Sequence, residues 1–176
     1  MADRFLIVVD MQNDFIDGAL GTPEAQAILT PAAEKIGEAR GKGYALIATR
    51  DTHSPDYMET SEGQKLPVPH CLKGSDGWQV HPVIREALGE AVTVDKKTFG
   101  SIDLPDLIRE MADGDPAVIE FMGVCTDICV VSNALILKAH FPEAKISVHA
   151  GLCAGVTPEK HRAALETMAS CQIDVI

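Results

Sequence analysis

The strongest constraint on the fold is a repeated alternation between short apolar runs and helix signals. Six runs are rich in Val and Ile and mostly lack polar alternation, as strands buried on both faces do. They are Arg4–Asp10, Tyr44–Asp51, Ala91–Lys96, Pro116–Val124, Ala144–Gly151 and Gln172–Ile176. Strands of this kind separated by helices predict an α/β fold, a doubly wound and mainly parallel six-stranded sheet with helices on both faces.

Helix start signals lie between the runs. Thr30 followed by Pro31 predicts an N-cap with proline at the first helical position, and Gly41 lies near the end of that segment. Asp103 and Thr157 each precede a proline-containing first turn in the same manner. These signals place one helix after most of the predicted strands, which supports parallel crossovers.

Length, charge and cysteine content bound the class of protein. The 176 residues suit one domain, residues 1–176, and the net charge of -11 argues against a nucleic-acid partner. The first apolar run, Phe5–Val9, is closed by Asp10 and is too short for a signal peptide or a membrane span. We therefore expect a cytoplasmic protein without a membrane partner, whose five cysteines are free thiols.

Polar side chains stand where four of the predicted strands end. Asp10, Asp51 and Lys96 end the first three strands, and Cys125 directly follows the fourth. In open α/β sheets ligands bind beyond the carboxyl ends of the strands, so these residues are candidates for one site. The alternative for each residue alone is that polar side chains often end strands because the chain reaches the solvent there.

The pair Cys125 and Cys129 can be interpreted in several ways. If Thr126 caps the following helix, Cys129 occupies its third position, where free N–H groups and the helix dipole stabilise a thiolate. Cys125 then lies in the preceding turn, and the spacing is not that of a redox Cys-x-x-Cys pair. Asp10 could act as base and Lys96 as orienting charge, although a structural ion pair explains both equally well.

The aperiodic stretch from residue 52 to 77 is long enough to be functional. Together with the preceding aspartate it carries possible metal ligands, namely Asp51, His53, Glu59, Glu62 and His70. Histidine and carboxylate ligands suit Zn²⁺, Mn²⁺ or Fe²⁺, so one divalent ion is a candidate cofactor. Solvated loop side chains are the alternative.

Four motifs in order resemble those of the isochorismatase-like cysteine hydrolases, and among them the nicotinamidases. They are "VVDMQNDF" (Val8–Phe15), "RDTH" (Arg50–His53), "DKKTFGS" (Asp95–Ser101) and "GVCTDICV" (Gly123–Val130). The resemblance covers nearly the whole chain. It implies hydrolysis of a linear amide, with nicotinamide converted to nicotinate in NAD salvage.

The resemblance assigns roles to particular positions. The implied catalytic triad is Asp10, Lys96 and Cys129, since the nucleophile of the family follows Thr-Asp-x. A cis peptide is implied between Val124 and Cys125. The backbone N–H groups of Cys125 and Cys129 are then the implied oxyanion hole.

The resemblance also implies how substrate and metal bind. The matching ligands are Asp51, His53 and His70 with Glu62 as the carboxylate in preference to Glu59, and Phe15 matches an aromatic that stacks on the substrate. Shortly before the second histidine, nicotinamidases usually place another aromatic, whereas this chain has Leu66 to Pro69 there. Trp78 is a candidate substitute.

Other functions remain compatible with the sequence. The same triad could act on another small amide, carbamoyl or ureido compound. A thiol redox protein would require both Cys125 and Cys129, and a non-catalytic flavodoxin-like binding domain would leave the strand-end residues unrelated. The expected partner is a small-molecule amide, and assembly into a homo-oligomer is expected by analogy alone.

Overall fold

The computed structural model describes residues 2–176, and its centre is one six-stranded, all-parallel sheet. The strand order is β3-β2-β1-β4-β5-β6. The strands are β1 (Arg4–Val9), β2 (Ala45–Asp51), β3 (Val92–Lys96), β4 (Val118–Val124), β5 (Lys145–Ala154) and β6 (Asp174–Val175). Each predicted run coincides with one strand, although β5 continues three residues beyond Gly151, and the predicted α/β fold is confirmed.

Helices and helical turns fill the connections between strands. They are α1 (Asn13–Ile16), α2 (Pro23–Ala27), α3 (Leu29–Gly41), a 3₁₀ turn (Tyr57–Glu59), α4 (Ser61–Lys65), α5 (Pro82–Leu88), α6 (Leu104–Ala112), a π-helical turn (Thr126–Val130), α7 (Val131–His140) and α8 (Pro158–Ser170). Within residues 2–176, none of these helices combines the length and apolar character that crossing a bilayer requires.

The chain winds outwards from the middle of the sheet in two directions. From β1 it proceeds to β2 and β3, and from β4 to β5 and β6, so the order reverses between β1 and β4. Right-handed crossovers then place the helices of the two halves on opposite faces. Accordingly α3 packs against α5, whereas α7 packs against α6 and α8. The crevice at the reversal is where doubly wound folds bind ligands.

The start of α3 differs from the sequence prediction. The helix begins at Leu29, so Thr30 lies inside its first turn and is not the N-cap. Pro31 is tolerated there because the first helical N–H groups have no intrahelical partner in any case. The capping threonine is Thr22, whose hydroxyl accepts from the N–H of Ala25 at the start of the additional helix α2. Thr157 caps α8 as predicted.

Gly123 lets β4 pass close to β1 just before the strand ends. Its φ of +124° lies in the region that favours glycine, and a Cβ there would collide with the carbonyl oxygen of Val9. The register against β5 shifts between Phe121 and Gly123. A glycine at this point therefore lets the two central strands bring their carboxyl ends together.

One carboxylate is buried within the central sheet, away from the strand ends. Glu120 of β4 accepts from the hydroxyl of Tyr44 at 2.6 Å and contacts Lys35 at 2.7 Å and His149 at 2.6 Å. Burial by itself raises the pKa of Glu120, but the bonds from Lys35, Tyr44 and His149 outweigh it and lower the pKa to about 2. This network ties α3, β4 and β5 together.

We expect Glu120→Gln to lower the free energy of unfolding at pH 7 by about 2 kcal/mol, because hydrogen bonds to a charged acceptor are lost. The folded-state pKa is depressed, so the carboxylate stabilises the fold above its unfolded pKa of 4.5 and loses that effect as pH falls towards 2. Urea unfolding at several pH values should show the gap between wild type and variant closing in that range. The exposed Glu143→Gln variant is the control, and an equal loss in both variants would contradict the prediction.

Candidate active site

Three candidate catalytic side chains meet at the carboxyl edge of the sheet. The Nζ of Lys96 lies 2.6 Å from Oδ2 of Asp10 and 3.4 Å from Sγ of Cys129, and all three residues are buried. Asp10 follows β1, Lys96 ends β3, and Cys129 lies in the turn after β4. Because β2 separates β1 from β3, the lysine reaches Asp10 only by extending its side chain across the end of that strand.

Burial and the neighbouring charges set the protonation of this group. Burial raises the pKa of Asp10, while the ammonium of Lys96 partly offsets that rise. Burial would lower the pKa of Lys96, but the charges of Asp10 and Asp51 raise it above its usual value. The lysine therefore stays protonated, and Thr49 also holds Asp10 through a hydroxyl that donates to Oδ1 at 2.6 Å.

The thiol of Cys129 is neutral at rest, which differs from the thiolate expected from a helix start. Burial and then the charge of Asp10 raise its pKa well above the usual value, and Lys96 only partly compensates. Thr126 does not cap the helix; Cys125 precedes a π-helical turn over Thr126–Val130. Cys129 is thus the fourth residue of a π turn, and its buried position beside a carboxylate favours the thiol.

The turn before Cys129 presents backbone N–H groups to the same space. The peptide bond between Val124 and Cys125 is cis. Among residues 2–176, the N–H groups of Cys125 and Cys129 have no hydrogen-bond acceptor outside that helical turn. Two backbone donors beside a buried thiol suit the stabilisation of a developing oxyanion.

Two histidines and two carboxylates form a second cluster beside the first. The four residues are Asp51, His53, Glu62 and His70, and each offers one ligand atom within 4.8 Å of the others. Nε2 of His53 lies 2.9 Å from Oδ2 of Asp51 and 3.6 Å from Oε1 of Glu62. Glu59 is not part of the cluster in residues 2–176, so the sequence preference for Glu62 agrees with the geometry.

The cluster fits a divalent metal by its chemistry. Burial raises the pKa of Asp51, but bonds from His53 and His70 and the charge of Lys96 lower it overall, so this carboxylate is ionised. Burial and the charge of Asp51 raise the pKa of Glu62. Two carboxylates forced close together are relieved by a cation between them, and two imidazoles complete a donor set suited to Zn²⁺, Mn²⁺ or Fe²⁺.

Lys96 joins the two clusters. Its Nζ also lies 3.3 Å from Oδ1 of Asp51, so one ammonium touches both the triad aspartate and a candidate metal ligand. Gln12, which sequence reasoning did not identify, holds Asp51 from the other side. The amide of Gln12 accepts from the N–H of Asp51 at 2.7 Å and donates to its carbonyl at 2.8 Å. The available sequence signal was a glutamine two residues after the strand-end aspartate Asp10.

Asn133 is a second residue that sequence reasoning missed. Its side-chain amide donates to the carbonyl of Cys129 at 2.8 Å and to that of Phe99 at 3.1 Å, and its oxygen accepts from the N–H of Ser101. It thereby ties the turn that carries Cys129 to the loop after Lys96. Only the fold reveals this role, because Phe99 and Ser101 are more than thirty residues away from Asn133 along the chain.

One cavity of about 270 Å³ connects the two clusters. Its lining includes Phe15, Leu20, Asp51, Glu62, Leu66, His70, Phe99, Cys125, Ile128, Cys129 and Lys160. The ring of Phe15 meets that of His70 edge-on, with centroids 5.4 Å apart, as suits an aromatic that contacts a flat substrate near the metal cluster.

Trp78 does not replace the aromatic that this chain lacks before His70. Its Nε1 donates to the hydroxyl of Thr52 at 2.9 Å, the guanidinium of Arg50 stacks 3.7 Å from its ring centroid, and it does not line the cavity. Leu66 and Phe99 line the wall instead. One aliphatic and one aromatic side chain therefore line this part of the cavity.

Comparison with known proteins agrees with the fold. A nicotinamidase of Escherichia coli (strain K12) is 28% identical over 89% of this chain and 85% of its own length. A nicotinamidase/pyrazinamidase of Mycobacterium tuberculosis is 26% identical over 98% of each chain. The crystal structure of a pyrazinamidase of Pyrococcus horikoshii in complex with zinc superposes with a TM-score of 0.83 at 27% identity, covering 99% of this chain and 98% of that one.

The family comparison covers nearly all of the chain. The Isochorismatase domain matches residues 4–176, which include every residue of the triad and of the metal cluster. With the parallel sheet and the strand-end site, this confirms the family resemblance seen in the four motifs. The chain belongs to the isochorismatase family, and within it is most similar to the nicotinamidases.

Proposed function

We propose that this protein is a cysteine-dependent amidohydrolase that converts nicotinamide and water to nicotinate and ammonia. The observation that carries the proposal is that a buried thiol–carboxylate–ammonium group and a four-ligand metal cluster border one cavity and share Lys96. A nicotinamidase would act in NAD salvage, and we expect it to do so in the cytoplasm.

Cys129 is the proposed nucleophile, and Asp10 is its base. As Sγ forms a bond to the amide carbon, the thiol proton passes to the carboxylate of Asp10, which lies beside the same Lys96 ammonium as the thiol. The backbone N–H groups of Cys125 and Cys129 donate hydrogen bonds to the carbonyl oxygen as negative charge develops on it. Burial raises the pKa of Asp10, which makes this carboxylate a stronger base than an exposed one.

Asp10 then acts as an acid and again as a base. Its proton passes to the amide nitrogen, the C–N bond breaks, and ammonia leaves a thioester on Cys129. A water molecule gives its proton to Asp10 as it attacks the thioester carbon, and the C–S bond breaks with return of the proton to sulfur. Lys96 remains protonated throughout and balances the charge on Asp10.

The metal cluster provides a reason for choosing a pyridine amide. Asp51, His53, Glu62 and His70 would hold a divalent ion, which would supply a Lewis-acid site for a pyridine nitrogen. Phe15 packs beside His70 and is placed to contact the face of a flat ring bound there. Held at both the ring and the thiol, the carboxamide is oriented for attack.

We expect metal-loaded protein to release ammonia from nicotinamide and pyrazinamide and to leave N-carbamoyl amino acids intact, because only the ring amides carry a nitrogen ligand for the metal. Coupled detection of ammonia with each compound measures this. Cys129→Ala protein is the control for background release. Absence of release from nicotinamide with metal bound would overturn the proposed substrate.

We expect Cys129→Ala to reduce kcat/KM by about ten-thousandfold or more, since the nucleophile is removed. Cys125→Ala is the matched control, because it removes the neighbouring thiol and keeps the backbone N–H. It should retain kcat within about tenfold. Steady-state kinetics with nicotinamide distinguishes the two variants, and loss of activity in Cys125→Ala with retention in Cys129→Ala would exclude this triad.

We expect Glu62→Gln to weaken Zn²⁺ binding at least about tenfold, because a carboxylate of the cluster becomes a neutral amide. Glu59→Gln makes the same charge change three residues earlier, outside the cluster, and should bind Zn²⁺ like the wild type. Competition with a chromophoric chelator gives the affinities. Equal weakening in both variants would point to a general charge effect and against a ligand role for Glu62.

A further inference from the structure

A second groove lies on the opposite side of His53 from the catalytic cavity. This rear groove, of about 470 Å³, is lined by Thr52, His53, Ser54, Pro55, Tyr57, Thr60, Lys73, Asp95 and Lys97. The rings of His53, Tyr57 and His70 pack together with centroids 4.6 to 5.1 Å apart. His53 and Tyr57 line the rear groove and His70 lines the cavity, so these rings separate the two spaces.

His53 has one nitrogen that nothing in the described protein satisfies. Its side chain is only 7% exposed, and its Nε2 faces Asp51 and Glu62. Among residues 2–176, no acceptor lies within hydrogen-bond range of its Nδ1, whereas Nδ1 of His70 contacts the carbonyl of Val68 at 2.8 Å. A metal-binding histidine almost always donates its other N–H to an acceptor. His53 lines the rear groove, and Nδ1 is not among the buried unpartnered atoms of residues 2–176, so the acceptor comes from solvent or from a group bound in the groove.

The charge of the rear groove indicates what that acceptor is. Lys73 and Lys97 have no carboxylate within 4 Å among residues 2–176, although the chain as a whole carries a net charge of -11. The acidic residue of the lining, Asp95, is already paired with Arg50 at 2.7 Å. The groove is thus a local concentration of unpaired positive charge.

The hydroxyls of the groove have mostly donated their protons elsewhere. Thr52 donates to the carbonyl of Arg50 and Thr60 to that of Tyr57, while Ser54 is bonded to Asp56. The uncommitted donors are therefore two ammonium groups and one imidazole N–H. Three donors from three separate segments favour an anion with at least three acceptor oxygens.

We propose that the rear groove binds a phosphoryl group, with Lys73, Lys97 and Nδ1 of His53 as its donors. A carboxylate has only two oxygens to share among these donors, whereas a phosphoryl group has three or more. An acceptor on Nδ1 raises the basicity of Nε2, so the occupant bears on the metal cluster through the same ring. The site stands on its own geometry and is independent of the proposed amidase activity.

Isothermal titration of inorganic phosphate into the full chain reconstituted with Zn²⁺ tests the site, at ionic strength held constant with chloride. We expect binding at about millimolar concentration, and Lys73→Gln/Lys97→Gln should weaken it at least about tenfold. Lys42→Gln/Lys145→Gln makes the same net charge change at exposed positions elsewhere and should bind like the wild type. Absence of binding at about 20 mM, or equal weakening in both double variants, would overturn the proposal.

Two further measurements test the contact and the ligand class. In the Zn²⁺ protein, phosphate should shift the ¹⁵N resonance of Nδ1 of His53 and leave those of His81 and His140, outside the groove, unchanged. Equal shifts at all three histidines would exclude the contact. Acetate should bind at least about tenfold more weakly than phosphate, and equal affinity would exclude a phosphoryl-specific site. Because titration heat does not require turnover, failure here is distinguishable from failure of the amidase proposal.

Discussion

The site depends on one buried ammonium group. Nζ of Lys96 contacts Asp10, Cys129 and Asp51 within 3.4 Å, and it is the only cation among the described residues that touches both clusters. Without this charge, two buried carboxylates would face each other beside a buried thiol, at high desolvation cost. The lysine therefore makes it possible for a candidate nucleophile and a candidate metal cluster to occupy neighbouring positions beside one cavity.

The sheet makes that contact possible and also limits it. The strand order places β2 between the strands that carry Asp10 and Lys96, so only a long side chain spans the gap. Asp51 ends β2, between those two strands. Two hydrogen bonds between its backbone and the side-chain amide of Gln12 hold it in place. The reversal of strand order beside β1 opens the crevice above these residues, where a substrate can enter.

Much of this arrangement could be predicted from the chain, because strand ends in a parallel sheet share an edge. The motif residues Asp10, Lys96 and Cys129 come together, as do the four candidate ligands, with Glu62 rather than Glu59. The expectation of a thiolate at Cys129 was wrong. It assumed an exposed helix start, whereas burial beside Asp10 raises the pKa of the thiol. The roles of Gln12 and Asn133 could not be predicted from the sequence, because they depend on contacts between distant segments.

The sequence alone determined the α/β class, the strand-end chemistry and the family, since these depend on local apolar periodicity and on short motifs. The tertiary structure decided which of several acidic and aromatic side chains reach the cavity. Trp78 turns towards Arg50 and Thr52 and away from the cavity, and Nδ1 of His53 is left without a partner on the side of the rear groove. Such outcomes depend on side-chain packing between segments far apart in the chain, which no local pattern encodes.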